Sequence, residues 1–371
     1  MHNNPQRKTA AWPLAWVYAV LIVYASLYPF DQWRIQGIAP WLYLTAPLPR
    51  YWTGFDVLSN VLGYAPLGFL LALAVNRTLP KWPAVAVATF AAAALSLTLE
   101  AVQMFLPVRV PSNVDAALNI TGALAGASMA RVLVWTGLMT RWSRFRDRWF
   151  VPDSSGALAL LAVWPLALLF PAPVSFGLGQ VLERLEAFLA HLLEDSPLLE
   201  WLPLREVELQ PLLPISEILC VAIGLLLPCL LVFGVLRGWR QRMLAAALTV
   251  LIGFLASALS AALTYGPAHT WGWVSSEVWV GLFVAVLALA ILSFCTSRVC
   301  WVLALAALVW QLSLLNNASA DVYFALTLQT WEQGRFIRFH GLSQWLGWLW
   351  PYALLLYLVS RLSSNVQPVK V

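Results

Sequence analysis

Seven polar side chains stand out between the apolar runs of the first third of the chain. Asp56 and Asn60 lie four residues apart, Glu100 and Gln103 three apart, and Asp115 and Asn119 four apart, with Arg109 in the short turn between the last two pairs. Spacings of three and four place each pair on one face of a helix. An ionisable group inside a membrane is costly, and its presence points to a function or to a specific partner. Glu100, Arg109 and Asp115 are therefore the candidate catalytic residues. Glu100 is placed as a general acid or base, and Arg109 offers a planar fork of donors suited to a phosphate or carboxylate. Asp56, Asn60, Gln103 and Asn119 are the candidate ligand-binding residues. A divalent cation shared by Asp56, Glu100 and Asp115 would be the oxygen-rich alternative. However, no aspartate-rich, Walker or nucleophile-elbow motif accompanies them, so no metal or other cofactor is assigned.

The elements that must hold these groups are membrane helices. Of 371 residues, 61% are hydrophobic and 11% charged, and 21 are Trp; soluble domains are about one quarter charged. The expected fold is an all-α polytopic integral membrane protein of about ten transmembrane helices. The spans fall at 12–29, 56–75, 82–106, 114–135, 156–172, 215–236, 243–264, 278–296, 299–315 and 344–361. The net charge of +5 then reads as topology and not as affinity for nucleic acid. Arg7, Lys8, Arg77, Lys81, the run Arg141, Arg144, Arg146 and Arg148, then Arg237, Arg240, Arg242, Arg298, Arg361 and Lys370 share one side of the successive spans. By the positive-inside rule that side is cytoplasmic and both termini lie inside. The opposite side is acidic, with Glu183, Glu186, Glu194, Asp195, Glu200, Glu206 and Glu208 in the 173–214 segment.

Two external segments, 173–214 and 316–343, divide the later spans. In the first, Leu178, Val181, Leu182, Leu185, Phe188, Leu189 and Leu192 recur at helical spacing and predict an amphipathic helix on the outer interface. Tyr323, Trp331, Phe336 and Phe339, interleaved with Arg335, Arg338 and His340, predict a second. The domain reading is 1–150 as a four-helix membrane domain and 151–371 as a further region of about six helices. Cys220, Cys229, Cys295 and Cys300 sit in or beside apolar runs and read as packing residues. His269 and His340 read as external and solvent-facing, and Glu217 and Glu277 as snorkelling from outer span ends.

On these spans the polar pairs converge. All lie within about 9 Å of a helix end on the external side, at 1.5 Å rise per residue. Gly122 and Gly126 form a GxxxG on the fourth span, which permits close helix approach, and Pro66 with Gly68 interrupts the hydrogen-bond ladder of the second, freeing a carbonyl and bending the helix toward a neighbour. The ordered set Asp56-x3-Asn60, Pro66-Leu67-Gly68, Glu100-x2-Gln103, Arg109, Asp115-x3-Asn119-x2-Gly122 resembles the VanZ family of teicoplanin-resistance-associated membrane proteins, over about residues 12–135. The resemblance implies a cell-envelope role in a bacterial inner membrane, with tolerance of glycopeptides in some members and no fixed reaction. The leading functional expectation is an envelope protein that binds, and in one version processes, a lipid-linked saccharide or peptidoglycan precursor at the external face, in contact with membrane lipids. A transporter or lipid translocator is the alternative, and would need a second polar cluster near the inner side. A non-catalytic envelope scaffold is the third reading. A purely structural reading also stands beside these: a buried polar network fixing helix register, with Arg109 neutralising a carboxylate.

Overall fold

The structure is a computed structural model. It describes residues 11–28, 30, 32–48, 54–76, 78, 79, 81–194, 196, 209, 212–318 and 337–364. Apart from an antiparallel bridge between Phe150 and Leu236 and a bridge residue at Ala318, all regular secondary structure among the described residues is helical. Among the described residues six helices are long and apolar enough to cross a membrane, in place of the expected ten. The chain divides into two compact units, Met1–Phe145 and Arg146–Val371.

In the first unit α1 (Ala11–Leu27), α2 (Gly54–Val75), α3 (Trp82–Gln103) and α4 (Asn113–Trp135) pack together. With 17 residues, α1 falls short of the length of a full span. The α2–α4 pairing is the closest in the unit. A Cβ added at Gly68 would lie 2.0 Å from the Ala123 carbonyl oxygen, one at Gly122 2.2 Å from that of Val61, and one at Gly126 1.8 Å from that of Ala65. Only the absence of side chains at these three positions lets backbone lie on backbone. Helix α2 runs continuously through Pro66, which has no N–H to give the carbonyl four residues earlier. Membrane helices tolerate the carbonyl that an internal Pro frees. A helix not foreseen, α5 (Leu138–Trp149), carries Arg141, Arg144, Arg146 and Arg148 and buries none of its residues.

The second unit is built around α8 (Pro214–Val235), whose apolar window is 83% buried. A helix apolar on every side suits such a central position. It is packed by α9 (Trp239–Tyr265), α10 (Ser276–Leu292), α11 (Ser297–Asn316) and α6 (Ser155–Ala167). The last helix, α12 (Ile337–Ser364), lies against α6 and α11. The fifth expected span is corrected here, because α6 has only 13 residues. The apolar residues after it, Phe170, Val174, Phe176 and Leu178, form a loop buried in the unit. Asn316 fastens this loop. Its amide donates to the Gly179 carbonyl at 3.1 Å, and its oxygen accepts the Val181 and Leu182 N–H groups, each at 3.0 Å. Leu178 thus belongs to the core, and the exposed amphipathic helix α7 begins only at Leu182 (Leu182–Leu192).

Arg242, read from sequence as a topology marker, is 7% exposed. Its guanidinium donates to the carbonyls of Ser293 (3.2 Å), Leu236 (3.3 Å) and Cys295 and to the Ser297 hydroxyl (3.2 Å), gathering the ends of α8 and α10 and the start of α11. Cys220, Cys229 and Cys300 are buried and all four cysteines are free thiols. Glu217 and Glu277 lie in the first turns of α8 and α10, and His269 is exposed beside the Tyr265 carbonyl. Arg7, Lys8, Arg77 and Lys370, on which the orientation expectation partly rests, lie outside the described residues. So do Asp195, Glu200, Glu206, Glu208 and most of the 316–343 segment, including the side chains of Arg338, Phe339 and His340.

Candidate functional site

The polar pairs sit at one end of the first unit, where α2 starts, α3 ends and α4 starts. Asp56 is in the first turn of α2 and Asp115 in the first turn of α4. Asn60, one turn along α2, donates its amide to Asp115 Oδ1 at 2.9 Å. Glu100, in the last turn of α3 and 5% exposed, accepts the backbone N–H of Ser112 at 2.9 Å. Ser112 is the N-cap of α4: its hydroxyl accepts from the N–H groups of Val114 (3.2 Å) and Asp115 (3.3 Å). Such a cap offers oxygen to N–H groups that have no partner within the helix.

Deeper in the same seam, Asn119 donates to the Ser96 hydroxyl at 3.0 Å. Both residues are buried, at 5% and 1% exposed, and Asn119 Oδ1 has no hydrogen-bond partner. Tyr64 of α2 reaches Ser96 and lies within electrostatic range of Glu100. From outside the helices, Tyr43 in the 3-10 turn Leu42–Thr45 packs on Ala101 and Ala116 and donates to the Leu97 carbonyl at 3.0 Å. Burial raises the Tyr43 phenol above its usual pKa, and the negative charge of Glu100 adds to the shift.

The remaining two candidates face α1. Gln103 donates to the Ser26 carbonyl at 3.0 Å. Arg109 donates through Nε to the Tyr28 carbonyl at 3.1 Å and through Nη2 to the carbonyls of Ala25 (3.3 Å) and Tyr28. A cation at a helix C-terminus satisfies otherwise unpaired carbonyls and the helix dipole together. The structure thus joins Asn60 with Asp115, and Glu100 with the start of α4, while Gln103 and Arg109 hold the end of α1. Among the described residues no group of three or more His, Cys, Asp or Glu side chains is placed to hold a metal ion.

Four participants were not singled out from sequence: Tyr43, Tyr64, Ser96 and Ser112. Ser112 carried a readable signal, since Ser112-Asn113-Val114-Asp115 has the form of a capping box. The hydroxyls of Tyr43, Tyr64 and Ser96 carried none, being single polar residues in apolar surroundings.

Residues 12–134 match the VanZ/LLP1 family model. The matched stretch contains all seven sequence-derived candidates; it begins within α1, contains α2 and α3, and ends within α4. The later residues lie outside this VanZ-like domain yet contain further apolar helices. No curated protein and no solved structure matches the chain.

Proposed function

We propose that the VanZ-like domain is a ligand-binding domain of the cell envelope. It would hold a lipid-linked saccharide or a peptidoglycan-related group at the membrane face where α2, α3 and α4 bring their acid and amide side chains, in a role of the glycopeptide-tolerance type. In this reading Asp56, Asn60 and Asn119 contact the ligand, Glu100 and Asp115 are the groups able to exchange a proton, and Gln103 and Arg109 position the end of α1. By the positive-inside rule this face is external and both termini are cytoplasmic.

One observation carries the reading. Asn119 Oδ1 is a buried acceptor with no partner, one turn beneath the Asn60–Asp115 pair and beside Ser96. A buried polar atom left unpaired is costly, which a ligand donor would relieve. Below it the seam closes: Ala88, Ala92, Ala123 and Ala127 are all 0% exposed. Asn76, Lys81 and Arg131 lie at the far end of α2–α4 with these alanines between. A packed layer of methyl groups favours a blind site over a path through the domain.

Native mass spectrometry of the purified protein tests the proposal. Wild type is expected to retain a lipid adduct that Glu100→Gln and Asn119→Leu both lose while keeping wild-type α-helical circular dichroism. Adducts retained equally by wild type and both variants would remove the basis for a binding site here.

A further inference from the structure

Helix α5 (Leu138–Trp149) follows the matched residues 12–134, and its chemistry is independent of the reading of that domain. It begins where a membrane-length helix stops. Helix α4 ends at Trp135, Thr136 caps it, and Gly137 takes φ of 71° before α5 starts. A side chain would be strained at that φ, so the glycine lets one helix end and the next begin within two residues. At 12 residues α5 is about 18 Å long, too short to cross a hydrocarbon core of about 30 Å. With four arginines it is also too charged to enter one.

The two chemistries of α5 are separated around its axis. At about 100° per residue, Leu138, Trp142, Phe145 and Trp149 fall in one stripe about 60° wide. Arg141 and Arg148 border the stripe on one side and Arg146 on the other, with Arg144 behind the first pair. Thr140, Ser143 and Asp147 take the opposite face. Leu138, Trp142 and Phe145 are exposed, and the two rings stack with centroids 5.6 Å apart. Only Trp149, at the end of the stripe, packs partly against a core.

The charge is available for a partner. Arg141, Arg144 and Arg148 are exposed and make no ion pair among the described residues, while Arg146 lies 3.9 Å from Asp147. Just past the helix, the exposed Arg237 donates to the Phe150 carbonyl at 3.1 Å and brings a fifth guanidinium to this end.

We propose that α5 lies in the plane of the membrane surface and binds the headgroups of anionic phospholipids. Trp142 and Phe145 enter the upper acyl region, and the arginines engage lipid phosphates. A guanidinium offers paired donors to a phosphate, and an apolar stripe bordered by arginine satisfies both groups at one depth in the interface. A run that served only to set membrane orientation would need the charge and not the stripe. A nucleic acid would use the charge and leave Trp142 and Phe145 in water.

Hydrogen exchange of the full chain in nanodiscs, read by mass spectrometry, tests this. Discs of phosphatidylglycerol and of phosphatidylcholine with the same acyl chains differ only in the headgroup. The amides of 138–149 are expected to exchange at least tenfold more slowly in the anionic discs. Arg141→Gln combined with Arg148→Gln keeps helix propensity and should reduce that difference at least fivefold, since one arginine beside an anionic leaflet is worth about fivefold. Trp142→Gln provides a second variant, in which the same amides should exchange faster in both discs. Equal exchange in the two discs, or wild-type exchange in both variants, overturns the proposal. Equal exchange in the discs together with protection by added polyglutamate would assign the surface to an acidic protein instead.

Discussion

Glu100 accepts the backbone N–H of Ser112 at 2.9 Å, so the end of α3 is tied directly to the residue that caps α4. The two contributions of Ser112 are separable. Ser112→Ala removes the capping hydroxyl but keeps the N–H that meets Glu100, and should cost about 1 kcal/mol. Glu100→Ala leaves that N–H without its carboxylate and should cost more, roughly 1–3 kcal/mol. Thermal unfolding in detergent should therefore rank wild type above Ser112→Ala and Ser112→Ala above Glu100→Ala; the reverse order of the two variants would contradict this role for Glu100.

The α2–α4 crossing leaves no space for a methyl group. Gly126→Ala would bring a Cβ within 1.8 Å of the Ala65 carbonyl oxygen, so the helices must separate. Overpacking commonly costs about 1–3 kcal/mol, and a clash with backbone belongs at or above the top of that range. Gly63 is the control: a Cβ there meets nothing within 4 Å, and Gly63→Ala should leave the melting temperature unchanged or slightly raised. A Gly126→Ala protein as stable as Gly63→Ala would show that the helices do not cross this closely.

Arg242→Lys tests whether a buried guanidinium organises the second unit. An ammonium is a single point of donation and cannot reach the four acceptors that the fork engages. Hydrogen bonds from charged donors contribute about 1.5–3 kcal/mol each, so a loss of at least about 2 kcal/mol is expected, measured as reduced resistance to denaturant. Wild-type resistance would make Arg242 only a marker of membrane orientation.

The raised pKa of Tyr43 has a definite sign in pH. Because the folded state favours the neutral phenol, Tyr43 contributes stability below the unfolded pKa of about 10, and this is lost as pH rises through the folded value. Ultraviolet titration of phenolate absorbance, wild type minus Tyr43→Phe, should isolate one group that ionises above the ordinary value. A difference curve centred at or below 10.0, the unshifted value, would refute the buried placement of this phenol beside Glu100.

What the sequence disclosed followed from helical periodicity. Spacings of three and four gathered Asp56, Asn60, Glu100, Gln103, Asp115 and Asn119 at helix ends, and the GxxxG of Gly122 and Gly126 marked a close crossing, which the structure resolves as one with α2. The partners were harder to read. Glu100 meets a backbone N–H and Arg109 meets backbone carbonyls, groups that every residue carries and no composition distinguishes. Tyr43 reaches the site from a loop, 54 residues from the Leu97 carbonyl it binds. The span count failed for a different reason. Apolar runs record removal from water and do not say whether lipid or protein replaces it. The loop holding Phe170, Val174, Phe176 and Leu178 is as apolar as a span because it fills the core of a unit.

The burial of α8 also bears on how the chain is made. It is the most hydropathic of the six long apolar helices, at 2.9 on average, yet most of its surface ends against protein. Its partners α9, α10 and α11 are synthesised after it, so α8 must wait in the bilayer without them. An all-apolar surface is as comfortable in lipid as among neighbours, which permits insertion first and lateral association later. The order of translation and the order of assembly are thereby uncoupled, and the centre of the second unit can enter the membrane ahead of α9 and α11.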